Sequence, residues 1–269
     1  MEFNNSDAQK LLASRASDLL RQAERGELVC GNFLTPHEAV CVLSFVREGR
    51  AEERVFLFGG YNDAERKRLF VLPSYLSDLD GDAMQKAKDY FADELSLAIK
   101  AIKIQGSGYR ELSHRDYLGS LLSLGIERNA IGDIVVVDSH SAIVFCTDKI
   151  FDYLISGIER IASDKVTVSP FSPDENFCAK RDFLPIRDTV ASERLDCVVG
   201  ALTNLSREKA QALIRSGLCE VNYLEELRVD VTVKAPAIIT LRGHGKYRLI
   251  EFDGETKRGR LRLVAEKYV

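Results

Sequence analysis

This sequence of 269 residues has no tryptophan, and its six cysteines and six prolines are scattered along it. No apolar run approaches the ~18 residues that a membrane-spanning helix needs, so no membrane partner is expected. The absence of any CxxC pair predicts reduced thiols in a cytoplasmic protein, with no metal and no other cofactor. The first ten residues carry neither the basic nor the apolar segment of a secretory signal, so none is expected.

The charged residues are present in ordinary number but are divided unevenly. Residues 186–269 hold 15 Lys and Arg against 12 Asp and Glu, a net charge of +3. Residues 1–185 hold 22 against 29, a net charge of −7. A chain of this length is expected to form two or three domains. A basic tail on an acidic body indicates a localised nucleic-acid-binding surface.

Residues 1–82 are predicted to form a small α/β domain. Thr35 is followed by a proline and has a glutamate three positions later, which predicts a capped helix start. Strands are predicted at 55–58 and 69–72 from their short apolar runs. The pair Gly59-Gly60 between them lacks the lysine of a phosphate loop, so a tight turn is predicted.

Three consecutive cations follow that turn. Arg66, Lys67 and Arg68 are candidates for RNA contact, but a solvated face is the favoured interpretation because charge runs on short segments are usually exposed.

Residues 83–170 are predicted to fold as a β-α-β-β-α-β unit, which is the ferredoxin-like, RRM-like arrangement of many RNA binders. Ser113 with Asp116 three positions later predicts the start of its first helix. The predicted strands are almost entirely aliphatic, and Phe145 is the only candidate for stacking on a base. Contact with ribose and phosphate, or a scaffolding role, is therefore favoured over base stacking.

Residues 171–188 contain two prolines and several polar residues and are predicted to be a linker. Residues 189–269 are then predicted to form a domain of two short helices and several strands, one of them near 229–233. The second helix is capped by Ser206, and Arg207, Gln211 and Arg215 recur every four residues on one of its flanks. Guanidinium groups held on a small helical platform suit phosphate oxygens. The predicted fold class of the whole chain is α+β and multidomain.

No catalytic constellation emerges from the sequence. His244 stands between two glycines, where a turn residue or a phosphate contact is favoured over a general base. Asp196 follows Arg194-Leu195, as the catalytic aspartate of pseudouridine synthases does, but Cys197 follows it. We interpret Asp196 as structural, or as a residue that orients the neighbouring arginines, and we expect a protein that is not an enzyme.

The tail domain resembles the S-four RNA-binding domain, which is named after ribosomal small-subunit protein S-four. The resemblance rests on Arg194-Leu195-Asp196, Ser206-Arg207, Ala210, Leu213-Ile214, Gly217 and Val221-Asn222. Members of that family usually have a Gly-Asp turn where this chain has Ala235-Pro236. Proline fixes φ and lacks a donor, so a different local turn is expected there.

The middle and N-terminal parts resemble the YlmH family of bacterial RNA-binding proteins. The motifs are His114-Arg115-Asp116-Tyr117-Leu118-Gly119, the run Leu121 to Arg128, Ile131-Gly132-Asp133-Ile134, and Gly59-Gly60-Tyr61. This resemblance implies binding to ribosomal RNA on the large ribosomal subunit beside obstructed peptidyl-tRNA. It also implies a role in ribosome-associated quality control, in which alanine residues are added to the stalled peptide, and a link to cell division.

The expected phosphate contacts all lie in the tail domain, with a secondary set in the middle unit. The first set is Arg194, Ser206, Arg207, Lys209, Arg215, Arg242 and Lys246. The secondary set is His114, Arg115 and Arg128. A monomer is expected. Two alternatives remain open from the sequence: an RNA-modifying enzyme similar to pseudouridine synthases, and a protein-interaction module acting in division.

Overall fold

A computed structural model of the protein describes residues 5–77, 79–174 and 176–269. The predicted first domain also includes residues 1–4 and Asp78, and the predicted linker includes Glu175; these residues lie outside the described ones. The chain divides into two compact units, with the division between Lys180 and Arg181. Both units mix helices with β-sheet, as expected of an α+β chain.

Local capping sequences begin two helices of the first unit. Thr35 and Glu38 form a capping box at α2, and Ser113 and Asp116 form one at α5, which confirms both predictions. In each box the hydroxyl accepts a backbone N–H and the carboxylate accepts another. The elements are α1 Asn5–Ala23, β1 Val29–Leu34, α2 Pro36–Glu48, β2 Val55–Phe58, β3 Lys67–Val71, α3 Ala83–Tyr90, α4 Ala92–Ala98, β4 Ile99–Gly106, α5 His114–Ser123, β5 Ile131–Asp138, β6 Ser141–Thr147, α6 Asp148–Gly157, β7 Arg160–Ile161 and β8 Asp164–Phe171.

The N-terminal sheet is antiparallel in the order β1-β3-β2, and helices cover both of its faces. Leu12 of α1 and Val42 of α2 belong to the core on one face, while Ala87 of α3 joins Phe70 in the core on the other. Strand β1 was not predicted, because its sequence VCGNFL has no regular alternation. Because α3 packs against the N-terminal sheet, the core of the first domain extends beyond residue 82, where that domain was predicted to end.

The middle sheet has the strand order β5-β6-β4-β8-β7, and every neighbouring pair is antiparallel. Apart from the two-residue β7, its elements follow the expected β-α-β-β-α-β order along the chain. Helices α5 and α6 contribute Leu121 and Leu154 to one core with Ile102 and Val144 of the sheet. The helices therefore lie on a single face of this sheet.

The other face of the middle sheet is covered at Phe145. This side chain is 1% exposed, and its ring centroid lies 4.9 Å from that of Tyr61 and 5.9 Å from that of Phe177. Gly60 has a φ of 99°, and a Cβ there would come within 2.6 Å of the Phe145 ring, so glycine allows this close approach. Phe145 is therefore a packing residue and offers no ring face to an RNA base.

Asp133 of β5 ties the N-terminal domain to this sheet. Its carboxylate accepts hydrogen bonds from the Tyr61 hydroxyl at 2.7 Å and from the backbone N–H groups of Glu65 at 2.8 Å and Arg66 at 2.9 Å. One charged group thus satisfies three donors from the loop between β2 and β3. Charge-assisted hydrogen bonds of this kind are among the strong ones in proteins.

Arg66 and Arg68 do not form the solvated face that was expected. Arg68 is 4% exposed, and its guanidinium donates to the carbonyl oxygens of Gly31, at 2.6 Å, and of Ala98. Arg66 is half-buried and donates from Nε to the carbonyl oxygen of Ile131 at 3.1 Å. Burial lowers the pKa of both guanidinium groups. Both arginines are occupied in joining backbone segments.

The second unit is a six-stranded antiparallel sheet in the order β11-β10-β12-β13-β14-β9, with two helices packed on one face. Its core combines Leu195 and Ile214 of the helices with Ile239 and Leu249 of the sheet. The elements are β9 Phe183–Val190, α7 Leu195–Thr203, α8 Arg207–Arg215, β10 Cys219–Val221, β11 Leu224–Glu225, β12 Ala237–Leu241, β13 Gly245–Glu255 and β14 Leu261–Tyr268.

Two predictions for this unit are corrected. Residues 183–188, assigned to the linker 171–188, belong to β9 and pair with β14. The prolines suggested a linker, but Pro185 is accommodated because β9 is an edge strand. No strand forms at 229–233, where the carbonyl oxygens of Val229 and Val231 instead accept backbone N–H groups from the start of α7. The Ala235-Pro236 bond is cis.

We expect Asp133→Ala to lower the free energy of unfolding of residues 5–180 by about 2–3 kcal/mol, since the donors that Asp133 satisfies lose a charged acceptor. Urea unfolding followed by circular dichroism measures this change. The matched control is Glu159→Ala, an exposed carboxylate whose side chain accepts no hydrogen bond from any described residue. Equal stability of the two variants would contradict a tie through Asp133.

Candidate nucleic-acid interface

The candidate interface is built on the helical hairpin of α7 and α8. The buried side of the hairpin is formed by Leu195, Val198, Val199, Leu202, Ala210, Leu213 and Ile214. Ser206 caps α8 as predicted, with its Oγ accepting the backbone N–H of Lys209 at 3.4 Å. Gly217, just after α8, has a positive φ of 72°, a conformation that glycine adopts readily at the end of a helix. The hairpin therefore presents its polar side from a packed base.

A fully buried carboxylate joins the two helices on that polar side. Asp196, in the first turn of α7, is 0% exposed. Arg194 donates to its two oxygens from Nε at 3.1 Å and from a terminal nitrogen at 3.2 Å. Arg207 donates from Nε at 3.0 Å and Gln211 from Nε2 at 2.7 Å. Asp196 thus holds two of the predicted RNA-binding arginines in place.

The electrostatics of this cluster favour the charged carboxylate. Burial opposes ionisation of Asp196, but the hydrogen bonds from Arg194, Gln211 and Arg207 outweigh it and hold the pKa of the carboxyl well below its usual range. The side chains of Arg194 and Arg207 are 38% and 63% exposed, so each retains donors directed at solvent. A guanidinium that is fixed on one side and open on the other suits a bidentate contact with a phosphate.

Arg207 and Gln211 were predicted to be neighbours on one flank of α8, but no partner was predicted for Gln211. The signal was their spacing of four residues, which places both on the same side of a helix. Asp196 faces that side from α7. Only the packing of the two helices brings the carboxylate within reach of both.

Three further predicted residues are exposed on or beside the hairpin. Lys209 lies in the first turn of α8 and Arg215 in its last turn. Arg242 follows β12, and its backbone N–H donates to the carbonyl oxygen of Leu218, just beyond the end of α8. Among the described residues, no ion pair engages the side chains of Lys209, Arg215 or Arg242.

Lys246, unlike the other predicted contacts, does not lie on the hairpin side of the second unit. It lies on the face of the sheet opposite to α7 and α8. The neighbouring residue Tyr247 points into the core beneath the helices, and successive side chains of a strand alternate between faces. The Lys246 ammonium lies 4.8 Å from the ring centroid of Tyr268 and 5.2 Å from that of Tyr223. The seven predicted contacts therefore do not form one surface.

The secondary set lies in the first unit and is also divided. His114 and Arg115 are exposed at the start of α5. Arg128 is half-buried and donates to the carbonyl oxygens of Ile131 at 2.7 Å and Gly132 at 3.1 Å. Burial and nearby Arg66 lower the pKa of Arg128 to about 10. Arg128 is therefore a packing residue, and of this set only His114 and Arg115 remain open to a ligand.

The described residues hold neither a candidate metal cluster nor a membrane-spanning helix. No group of three or more His, Cys, Asp or Glu in residues 5–77, 79–174 and 176–269 could hold a metal ion. No helix within those ranges is long and apolar enough to cross a lipid bilayer. His244 lies in the turn between β12 and β13, as predicted, with its backbone N–H donating to the carbonyl oxygen of Leu241.

Comparisons with known proteins point to RNA binding. Residues 92–175 match the family described as "Putative RNA-binding domain in YlmH", and residues 11–76 match the one described as "YlmH, N-terminal". The chain is also 28% identical over 237 residues to ribosome-associated protein quality control protein P2 of Bacillus subtilis (strain 168). That alignment covers 88% of this chain and 86% of the relative.

Among solved structures, the chain is similar to the cell division protein YlmH from Streptococcus pneumoniae, with a TM-score of 0.46 and 16% identity. The match covers 64% of this chain and 94% of that one.

The class of protein that these matches support is an RNA-binding protein. The two domain matches and the B. subtilis relative support placing the chain in the YlmH family. Both matched ranges lie in the first unit, so the interface on α7 and α8 lies outside them.

We expect Asp196→Asn to lower the free energy of unfolding at pH 7 by about 1.5–3 kcal/mol, since the buried charged acceptor is lost. Urea unfolding followed by circular dichroism measures this loss, and hydrogen exchange of residues 195–203 assigns it to α7. The control is Asp253→Asn, an exposed carboxylate of the same unit.

The pH dependence has a definite sign. The folded pKa of Asp196 lies below the unfolded value of about 3.9, so its stabilisation is complete above that pH and is lost as the pH falls further. The stability difference between wild type and Asp196→Asn should therefore shrink below about pH 4. A difference that grows in acid would contradict this account.

Proposed function

We propose that this chain is a non-enzymatic protein that binds structured ribosomal RNA through the polar side of the α7–α8 hairpin. The observation that carries the proposal is the pair of guanidinium groups, Arg194 and Arg207, anchored on one buried carboxylate. Anchoring removes side-chain freedom before a phosphate arrives, which lowers the entropic cost of binding. Lys209, Arg215 and Arg242 extend the positive charge around this centre.

The S-four resemblance of residues 189–269 supports the same role. The RNA-binding description matched by residues 92–175 and the name of the B. subtilis relative support a place in ribosome-associated quality control. We assign the large ribosomal subunit carrying obstructed peptidyl-tRNA as the target, with the protein acting in the cytoplasm as a monomer during alanine tailing. A link to cell division is the further role that the family resemblance suggests.

The decisive test reverses charge without touching the Asp196 cluster. In Lys209→Glu/Arg215→Glu, both changed residues are exposed and neither contacts Asp196, so the fold should survive. We expect weaker co-sedimentation with bacterial large ribosomal subunits. The slope of log K against log salt should become shallower by about 1.4–1.8, at ~0.7–0.9 per lost phosphate contact.

The matched control is Arg47→Glu/Lys88→Glu, which changes the net charge equally at two exposed positions of the first unit. Unchanged affinity and salt slope in the α8 variant would remove the hairpin from the interface.

Detection of an RNA nucleotide whose modification requires the gene would instead favour an enzyme. Stronger binding of wild type to subunits that carry peptidyl-tRNA than to empty subunits is expected.

A further inference from the structure

The sheet of the second unit has a second polar face, on the side away from α7 and α8. Tyr247, Leu249 and Ala265 point into the core beneath the helices. The alternating residues Lys246 and Arg248 therefore lie on the other side, because side chains alternate along a strand. Within residues 181–269, neither helix covers this second face.

Three aromatic rings and two cations contact one another on that face. Phe183 and Tyr268 lie opposite each other on β9 and β14, with ring centroids 5.0 Å apart. The Arg248 guanidinium lies 4.6 Å from the Phe183 centroid. The Lys246 ammonium contacts the rings of both Tyr268 and Tyr223. We call Phe183, Tyr223, Lys246, Arg248 and Tyr268 the aromatic–cation cluster.

The cluster is partly open and incompletely satisfied. Phe183, Tyr223, Lys246 and Tyr268 are half-buried, and the Arg248 side chain is 43% exposed. One terminal nitrogen of Arg248 donates to Glu266 at 2.5 Å, whereas its buried Nε has no hydrogen-bond acceptor among the described residues. Glu266 and the Phe183 ring thus hold the guanidinium in a fixed position.

This chemistry matches an unpaired nucleotide. Bases stack on aromatic rings and on guanidinium planes, and stacking tolerates any base because each has a π-face. A cation beside the rings can meet the phosphate that follows the base, as in proteins that bind single strands. A rigid duplex keeps its bases stacked on one another and offers none of them to such a surface.

We propose that the aromatic–cation cluster binds unpaired nucleotides of single-stranded RNA. One base extends the stack of Phe183 and Arg248 or lies on Tyr268, and Lys246 contacts an adjacent phosphate. The proposal rests on the proposed function, because that function supplies RNA as the class of ligand. The binding face is a different one, on the opposite side of the second unit's sheet. Lys246 then belongs to this second site and not to the surface that contains Arg194, Arg207 and Asp196.

Fluorescence anisotropy with the full chain tests the proposal, using 5′-labelled ten-nucleotide oligoadenosine and oligouridine RNA and an RNA hairpin of few unpaired bases. We expect Tyr268→Leu and Arg248→Gln each to weaken oligonucleotide binding by about fivefold to a hundredfold. Hairpin binding should change less than twofold. Tyr268→Phe keeps the ring and should bind within twofold of wild type.

The control is Tyr109→Leu, which removes an aromatic ring that is 85% exposed in the first unit. Circular dichroism establishes that each variant is folded. Ultraviolet crosslinking of wild-type protein to the oligonucleotides, with the crosslinked peptides identified by mass spectrometry, needs no variant. We expect crosslinks within residues 183–190, 219–225 or 261–269.

The proposal is overturned if wild type binds no single-stranded oligonucleotide, if Tyr268→Leu and Arg248→Gln bind as wild type does, or if the crosslinks map elsewhere. The variant Lys209→Glu/Arg215→Glu separates the two sites. If it loses large subunits but keeps oligonucleotides, the cluster acts independently of the hairpin. If cluster variants bind large subunits normally while losing oligonucleotides, the proposed function stands without any contribution from this face.

Discussion

The candidate interface depends on the hydrogen bonds that the ionised carboxylate of Asp196 accepts. A buried charge is tolerated only when hydrogen bonds and opposite charges compensate its lost hydration. Arg194, Arg207 and Gln211 supply that compensation here, and the same bonds fix the position of both arginines. Stability and binding geometry therefore come from one group, so a change at Asp196 affects both.

A contrasting use of arginine occurs in the first unit. Arg68 and Arg128 donate to backbone carbonyl oxygens, and burial lowers the pKa of each. Arg66, which donates to the carbonyl oxygen of Ile131, and Asp133 join the N-terminal domain to the middle sheet. The remaining face of that sheet is closed at Phe145 by Tyr61. The unit that contains the matched RNA-binding domain thus presents no aromatic stacking surface at Phe145, the one stacking candidate in its sequence.

The second unit instead places cations on two faces. On the helical face, the arginines are held by a carboxylate and remain partly exposed. On the sheet face, Lys246 and Arg248 are held by aromatic rings. The first arrangement suits phosphate alone, whereas the second adds surfaces on which a base can stack. The two proposed RNA-binding faces therefore differ in the form of RNA that their chemistry suits.

Several features followed from the sequence because they depend on neighbouring residues. The capping boxes at Thr35 and Ser113, the Ser206 cap and the turn at Gly217 each involve atoms within a few residues, so local chemistry determines them. The alternation of elements in the middle unit followed from hydrophobic periodicity. The family resemblance likewise rested on short motifs, and the domain matches support it.

Tertiary structure decided which charged and aromatic side chains are available. Arg66 and Arg207 look alike in the sequence, yet one is occupied with carbonyl oxygens and the other keeps donors toward solvent. Phe145 was the visible aromatic candidate and is buried, while Phe183 and Tyr268 meet only because β9 pairs with β14. Those partners lie far apart along the chain. The sequence by itself therefore determined where helices begin, where turns occur and how charged residues are distributed along the chain. Only the long-range packing of helices and strands decided which side chains can reach a ligand.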